Sequence, residues 1–291
     1  MNNFVAPTGG TVTFPNTNEM IRVTGNMIYS LSRTTQPATA AGVHLTTTRN
    51  LSLTGLNKLI TPASGTYFTR GDSVVNNTVL MNVDNVTSGA SVVGIGVQQA
   101  TNTVLLNNAI AVPGPETSVN IAAGNTFAGI FYQGYSPKTS GGMSSNRNAF
   151  WTPSAAMVRF IEVDNASQIL ELGSQGDYTA LGQWKAWTGQ DINSVVGNFM
   201  NDYVTITTTT PNKMRIMSNP YPLGSLLDRR GERTGSGFVD LDGDPRGLNG
   251  SRFTIGADEF VGRLYVNDVE AIEVLSPVAY RSGTGLFSDA E

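Results

Sequence analysis

The sequence of 291 residues has no cysteine, which excludes disulfides, thiolate nucleophiles and cysteine-based zinc sites together. It has a single histidine, His44, so the usual zinc ligand sets lack donors and a Ser-His-Asp triad would have only one base to draw on. Charge is sparse, at 14% Asp, Glu, Lys and Arg. No stretch approaches the roughly 18 apolar residues that span a bilayer, and the opening MNNFVAPTGG lacks the basic region and apolar run of a signal peptide. The expectation is a soluble chain without a membrane span, either a mature form or an excerpt of a longer precursor. There is no G-x-S-x-G and no P-loop. Gly94-Ile95-Gly96 begins like a dinucleotide fingerprint but has Gln99 where the third glycine belongs.

What is present favours extended chain and turns. There are 32 Gly and 13 Pro, Thr, Asn and Ser are abundant, and the hydrophobic content of 40% is enough for a core. The net charge of −4 is unevenly spread. Residues 1–150 hold four acids (Glu19, Asp72, Asp84, Glu116) and seven bases, so the halves carry about +3 and −7. The bases are scattered along the sequence, without the aromatic interleaving of a nucleic-acid surface, so no nucleic-acid partner is expected.

Internal likeness points to a repeat. NNTVLMN (Asn76–Asn82) superimposes on TNTVLLNN (Thr101–Asn108) with Val79 on Val104, a shift of about 25 residues. Further apolar matches near Phe127 and Phe150, and earlier ones at NLSLTGL and MIRVTGN, extend this to a loose period of about 22 to 30 residues. Such a period suits one coil of a solenoid that buries its inward side chains only by stacking on its neighbours. Asn77, Asn102 and Asn125 then become candidates for a hydrogen-bonded ladder between coils. An antiparallel sandwich is the alternative. Beyond about Asn165 the text changes. DYTALGQWKAWTGQD predicts a short helix near residues 178–188 that buries Leu181 and Trp184 and stops at Gly189. VTITTTT (204–210) and RLYVNDVEAIEVL (263–275) read as strands, the latter at an edge.

The acids carry the candidate chemistry. In FVDLDGDPRGLNGSRFTIGADEF, an extended chain would set Asp240, Asp242 and Asp244 on one face, about 6 to 7 Å apart. The bland account makes them turn residues that satisfy backbone amides, with Arg246 and Arg252 offsetting the charge. The functional account makes them a Ca²⁺ site, though not an EF-hand, because Gly243 and Ser251 stand at the wrong positions. No other cofactor is expected. Glu162 and Asp164 with Arg159 nearby are the best catalytic candidates, against the plainer reading of a solvated face with a local ion pair. Asp72, Asp84 and His44 read as turn or strand positions, and Trp151, Trp184 and Trp187 as candidate sugar-stacking platforms, against the burial of Trp184 by the helix.

Several segments resemble bacterial right-handed parallel β-helix surface proteins, in particular those with a choice-of-anchor Q domain. SNRNAFWTPS, then QWKAWTGQDINSV, with Trp184, Thr188, Gly189, Gln190, Asp191, Asn193 and Ser194 as the matching positions, then SLLDRRGE, VDLDGDPRG and FTIGADEF follow that group's order across about Asn146 to Phe260. The resemblance implies an all-β fold, a right-handed parallel β-helix with a short helix and a C-terminal closing segment, in an extracellular or cell-surface setting. It implies no single activity. The expected organisation is coils over 1–235 and a closing segment with an edge strand over 236–291, leading to a further module. The expected function is a non-enzymatic structural or adhesive element that associates with itself or with other surface proteins. The alternatives are a polysaccharide lyase or glycosidase acting through Arg159, Glu162 and Asp164, or a polysaccharide-binding module.

Overall fold

The computed structural model describes residues 21–30, 39–46, 68–69, 71–81, 91–98, 100–113, 126–134, 142–153, 155–162, 169–172, 178–206, 213–216, 224–234, 239–247 and 252–260. These are mostly strands in parallel sheets, with one short α-helix. The first sheet is β1 (Arg22–Thr24), β5 (Ser73–Val75), β9 (Val104–Leu106) and β12 (Ser144–Asn146), in that order. The second is β2 (Met27–Ser30), β6 (Thr78–Met81), β10 (Ala109–Ala111), β13 (Ala149–Trp151) and β16 (Val195–Val196). The third is β3 (Thr39–Thr46), β7 (Ser91–Gln98), β11 (Thr126–Gly134) and β14 (Ala156–Glu162), all parallel, with β15 (Ile169–Leu172) added antiparallel. The chain visits the three sheets in turn and then moves one strand along each. β4 (Phe68–Thr69) and β8 (Ala100–Thr101) form a small parallel pair just ahead of two of these passes.

The pairing corrects the period read from sequence. Equivalent positions are 51, 31 and 40 residues apart along the stack, as Asn26, Asn77, Asn108 and Asn148 show. Val79 pairs with Ile110, not with Val104, which pairs with Ser73 in the first sheet. The sequence match had laid a strand of the second sheet on a strand of the first.

All three sheets contribute side chains to one apolar cluster. Val23, Val74 and Leu105 come from the first sheet and the row Ile28, Val79, Ile110, Phe150 and Val196 from the second. The third adds Val43, Ile95, Ile130 and Val158, with Leu45, Val97, Tyr132 and Phe160 beside them. Each fully buried side chain of this size stabilises the fold by about 1.5–3 kcal/mol. Third-sheet pairing skips Gly42, Gly94, Gly129 and Met157, and at the three glycines the sheet lies close against second-sheet side chains. A Cβ on Gly42 would lie 2.2 Å from Val79 Cγ1, and one on Gly94 2.5 Å from Ile110 Cγ2.

The second sheet is apolar on its outer side as well, so its strands read as unbroken hydrophobic runs. Leu80, Ala109, Ala111 and Ala149 are covered by Phe199, Tyr203, Leu227, Ile255 and Phe260. The described part of the 236–291 segment thus packs on the outer face of the second sheet through Ile255 and Phe260. Its polar anchor is Thr78, whose Oγ1 accepts the Ala257 amide at 2.9 Å and lies 3.2 Å from the Tyr203 hydroxyl. Thr78→Val keeps the shape and removes both bonds. It is expected to lower stability by about 1–2 kcal/mol and to speed proteolysis of the C-terminal segment first, as limited digestion with mass spectrometry would show.

Helix α1 (Tyr178–Thr188) closes one end of the core, as its spacing predicts: Leu181 and Trp184, one turn apart, both enter the main cluster. It stops at Gly189, whose φ of +70° suits the left-handed C-terminal position and whose amide bonds to Lys185 O at 2.8 Å. β17 (Tyr203–Ile206) pairs antiparallel with β18 (Lys213–Ile216) over part of the predicted 204–210 strand. The predicted strand at 263–275 lies outside the described residues. No helix of the described residues is long and apolar enough to cross a membrane.

Candidate functional site

Between the first and second sheets each pass makes the same two-residue turn: Gly25-Asn26, Asn76-Asn77, Asn107-Asn108 and Arg147-Asn148. The second residue points inward and builds a ladder. Asn77 Oδ1 accepts both the amide and the side-chain NH₂ of Asn26, each at 3.0 Å. Asn108 Oδ1 does the same for Asn77 at 3.1 Å, and Asn148 Oδ1 for Asn108 at 2.9 and 3.1 Å. Of the residues proposed from sequence, Asn77 belongs to this ladder, Asn102 is exposed, and Asn125 lies outside the described residues.

Every rung donates in the same direction, so the amide dipoles align and polarise one another. The row ends on Asp191, which is fully buried. Its Oδ1 accepts Asn148 Nδ2 at 3.1 Å and the Ser194 hydroxyl at 2.6 Å, and its Oδ2 accepts Trp184 Nε1 at 2.9 Å. The same segment seals the outer edge of β12. The Ser145 amide donates to Gln190 Oε1 at 2.7 Å, and the Asp191 amide donates to Ser145 O at 2.7 Å.

The first turn residue points outward in left-handed backbone: Gly25, Asn76, Asn107 and Arg147 have φ of 68°, 56°, 57° and 52°. Glycine and asparagine accept this conformation at low cost, whereas arginine is strained by about 1–2 kcal/mol. Residues 224–234 run across these turns. Asn107 receives the Glu232 amide at 2.7 Å and returns its NH₂ to Glu232 O at 2.8 Å. Arg147 lies 3.4 Å from the Glu232 carboxylate and donates to Arg230 O at 3.2 Å. Gly231 bonds Phe253 O at 2.7 Å, so Arg252 sits beside the same edge. Arg147 and Arg229 thus meet the Glu232 and Asp228 carboxylates, with Arg230 and Arg233 next to them along the chain and Arg252 next to the residue that Gly231 bonds. Sequence reading missed this cluster because its members come from three separate segments.

The Asp-rich segment is a turn rather than an extended strand. The Asp240 amide bonds Asp244 O at 2.9 Å, and Gly243 has a φ of +94°. Asp240 is buried and serves as a hub: its Oδ1 accepts the amides of Asp242 and Asp244 at 2.9 and 2.8 Å, and its Oδ2 accepts that of Glu259 at 3.0 Å. Asp242 and Asp244 are exposed, so the three acids do not share one face. Among the described residues no group of three or more His, Cys, Asp or Glu side chains is placed to hold a metal ion. Beneath the turn, buried Arg246 donates to Gly256 O at 2.7 Å and reaches Glu259 Oε2 at 3.4 Å. Burial lowers the Arg246 pKa and raises that of Glu259, and their mutual attraction opposes both shifts.

The other sequence candidates are placed as follows. Arg159 and Glu162 both lie on β14. Asp164 lies outside the described residues. Arg159 is paired in register with Phe131 and Glu171, and His44 with Gly96. Asp72 is buried and binds two passes together, accepting the Ile21 amide on Oδ1 at 2.8 Å and the Val104 amide on its carbonyl at 2.8 Å. Asp84 lies outside the described residues. Trp184 is fully buried, and Trp187 and Trp151 pack on the two main clusters.

Asp202 gives the closing region a pH dependence. Burial raises its pKa, against the lowering effect of the Ser225 hydroxyl bonded to Oδ2 at 2.7 Å. A carboxyl whose folded pKa exceeds its unfolded value, about 3.9, binds its proton more tightly when folded. Its contribution is complete below the unfolded pKa and is lost as pH rises through the folded pKa. Asp202→Asn is expected to flatten that part of the profile of urea midpoint against pH; an unaltered slope on the acid side would refute the assignment.

No protein-family model, curated protein or solved structure matches the chain.

Proposed function

We propose that the chain is a right-handed parallel β-helix that serves as a non-enzymatic structural or adhesive element at a cell surface, as a subunit or module of a larger assembly. The observation that carries this reading is the asparagine ladder from Asn26 to Asn148, closed on Asp191. A buried polar row repeated pass after pass stiffens a stack along its length, a property that suits a spacer or scaffold. The resemblance to choice-of-anchor Q proteins over Asn146 to Phe260 supports the same setting. Association is proposed through the sides of the stack or the end bearing β1, because the edge of β12 at the other end is occupied by Gln190 and Asp191.

Electron microscopy of the purified chain at rising concentration tests the reading. Elongated particles that associate are expected, and compact particles that stay dispersed would overturn it. Turnover on a panel of polysaccharides, lost in Glu162→Gln, would replace it with the lyase or glycosidase alternative.

A further inference from the structure

The geometry points to the arginine edge, formed by Arg147, Arg229, Arg230, Arg233 and Arg252, as a binding surface for an anionic polysaccharide. This inference rests on the adhesive reading above and names its ligand class.

Two observations carry it independently. The first is charge. Five arginines stand within or beside residues 228–233, which carry two carboxylates, on a chain whose net charge is −4, and Arg229, Arg233 and Arg252 are exposed. The second is backbone conformation. Arg147 and Arg229 both stand at φ 52°, where glycine or asparagine would sit without strain, as Gly25, Asn76 and Asn107 do at the turns equivalent to Arg147. The Arg147 side chain is tied to Glu232 and Arg230 O, which accounts for its presence as an anchor. Arg229 is half exposed and pairs with the Asp228 carboxylate at 3.8 Å. A strained arginine facing solvent points to a role in binding.

The chemistry selects the partner. Guanidinium groups match carboxylate and sulfate oxygens in paired hydrogen bonds. A polynucleotide fits less well: the Glu232 carboxylate is 54% exposed in the middle of the cluster, where it would repel closely spaced phosphates. The described residues of the edge also present no exposed aromatic ring for base stacking. A polysaccharide carries its charges further apart and can place a hydroxyl against the exposed Glu232 carboxylate.

The test uses the full chain over immobilised polygalacturonate, dextran sulfate, neutral dextran and a single-stranded oligonucleotide, at low and high salt. The expected result is binding to polygalacturonate or dextran sulfate, which also separates carboxylate from sulfate recognition. That binding should weaken at high salt and by about tenfold in Arg229→Gln/Arg233→Gln/Arg252→Gln, with neutral dextran unbound. If the triple variant unfolds at a lower midpoint, Arg233→Gln alone replaces it, with a proportionately smaller loss. Absence of binding to both polyanions, unchanged binding in the variant, or equal or tighter binding of the oligonucleotide would each overturn the inference. Associating rods that bind no polyanion would sink this inference and leave the structural role standing, whereas compact particles that still bind would do the reverse.

Discussion

Asp191→Asn lowers the free energy of unfolding by about 3 kcal/mol. The substitution keeps the volume but replaces one acceptor oxygen with an NH₂ group, inside a site where all three neighbours are donors: Asn148 Nδ2, the Ser194 hydroxyl and Trp184 Nε1. Whichever way the amide turns, a donor faces a donor, and each buried donor left without an acceptor costs about 1–3 kcal/mol. The loss extends beyond the local site, because the carboxylate stands at the accepting end of aligned amides and stabilises their common orientation. Trp184→Phe removes one opposing donor. In a double-mutant cycle the pair should therefore be less destabilised than the sum of the single changes. Denaturant unfolding measures each variant, and Asp191→Asn within about 0.5 kcal/mol of the parent would show that the ladder does not depend on its terminal charge.

Gly94→Ala has an effect of similar size by a different route. The added Cβ would stand 2.5 Å from Ile110 Cγ2 and 2.7 Å from the carbonyl oxygen of Gly129, and the latter is backbone that cannot turn aside. Overpacking a close-packed interior costs about 1–3 kcal/mol, and two simultaneous clashes place this change at the upper end. Ile110→Ala removes the first clash, so the double variant should recover part of the loss. Gly182, in the middle of α1, supplies the contrast, because a Cβ there meets nothing within 4 Å. Gly182→Ala is expected to raise stability by about 0.5–1 kcal/mol, since only the helical propensity changes. Equal destabilisation at Gly94 and Gly182 would contradict the view that close sheet approach explains the third-sheet glycines.

The helix and the presence of short strands were legible because their signals are local. Leu181, Trp184 and Gly189 stand at spacings that only a helix with a left-handed stop satisfies. The true repeat was not legible, and the reason is physical. Strands buried on both faces have similar composition whichever sheet they belong to, so the resemblance of β6 to β9 aligned two different sheets. The ladder was half visible: Asn77 was identified, but Asn108 and Asn148 depend on a register that sequence likeness does not report. The acids at 240, 242 and 244 alternate as a strand would, yet Gly243 in left-handed backbone folds them into a turn around Asp240. The arginine edge was invisible for the plainest reason, since Arg147 and Arg230 are 83 residues apart in sequence.

The unequal intervals of 51, 31 and 40 residues between rungs that keep identical turn geometry have a practical consequence. Chain length between passes is free to vary while the strands stay in place, and doubling a flexible connection costs only about 0.6 kcal/mol in closure entropy. Foreign peptides of a dozen residues or more could be displayed between passes at little thermodynamic penalty, whereas one residue inserted into an Asn-bearing turn would throw the side chains of the strand that follows it onto the wrong face.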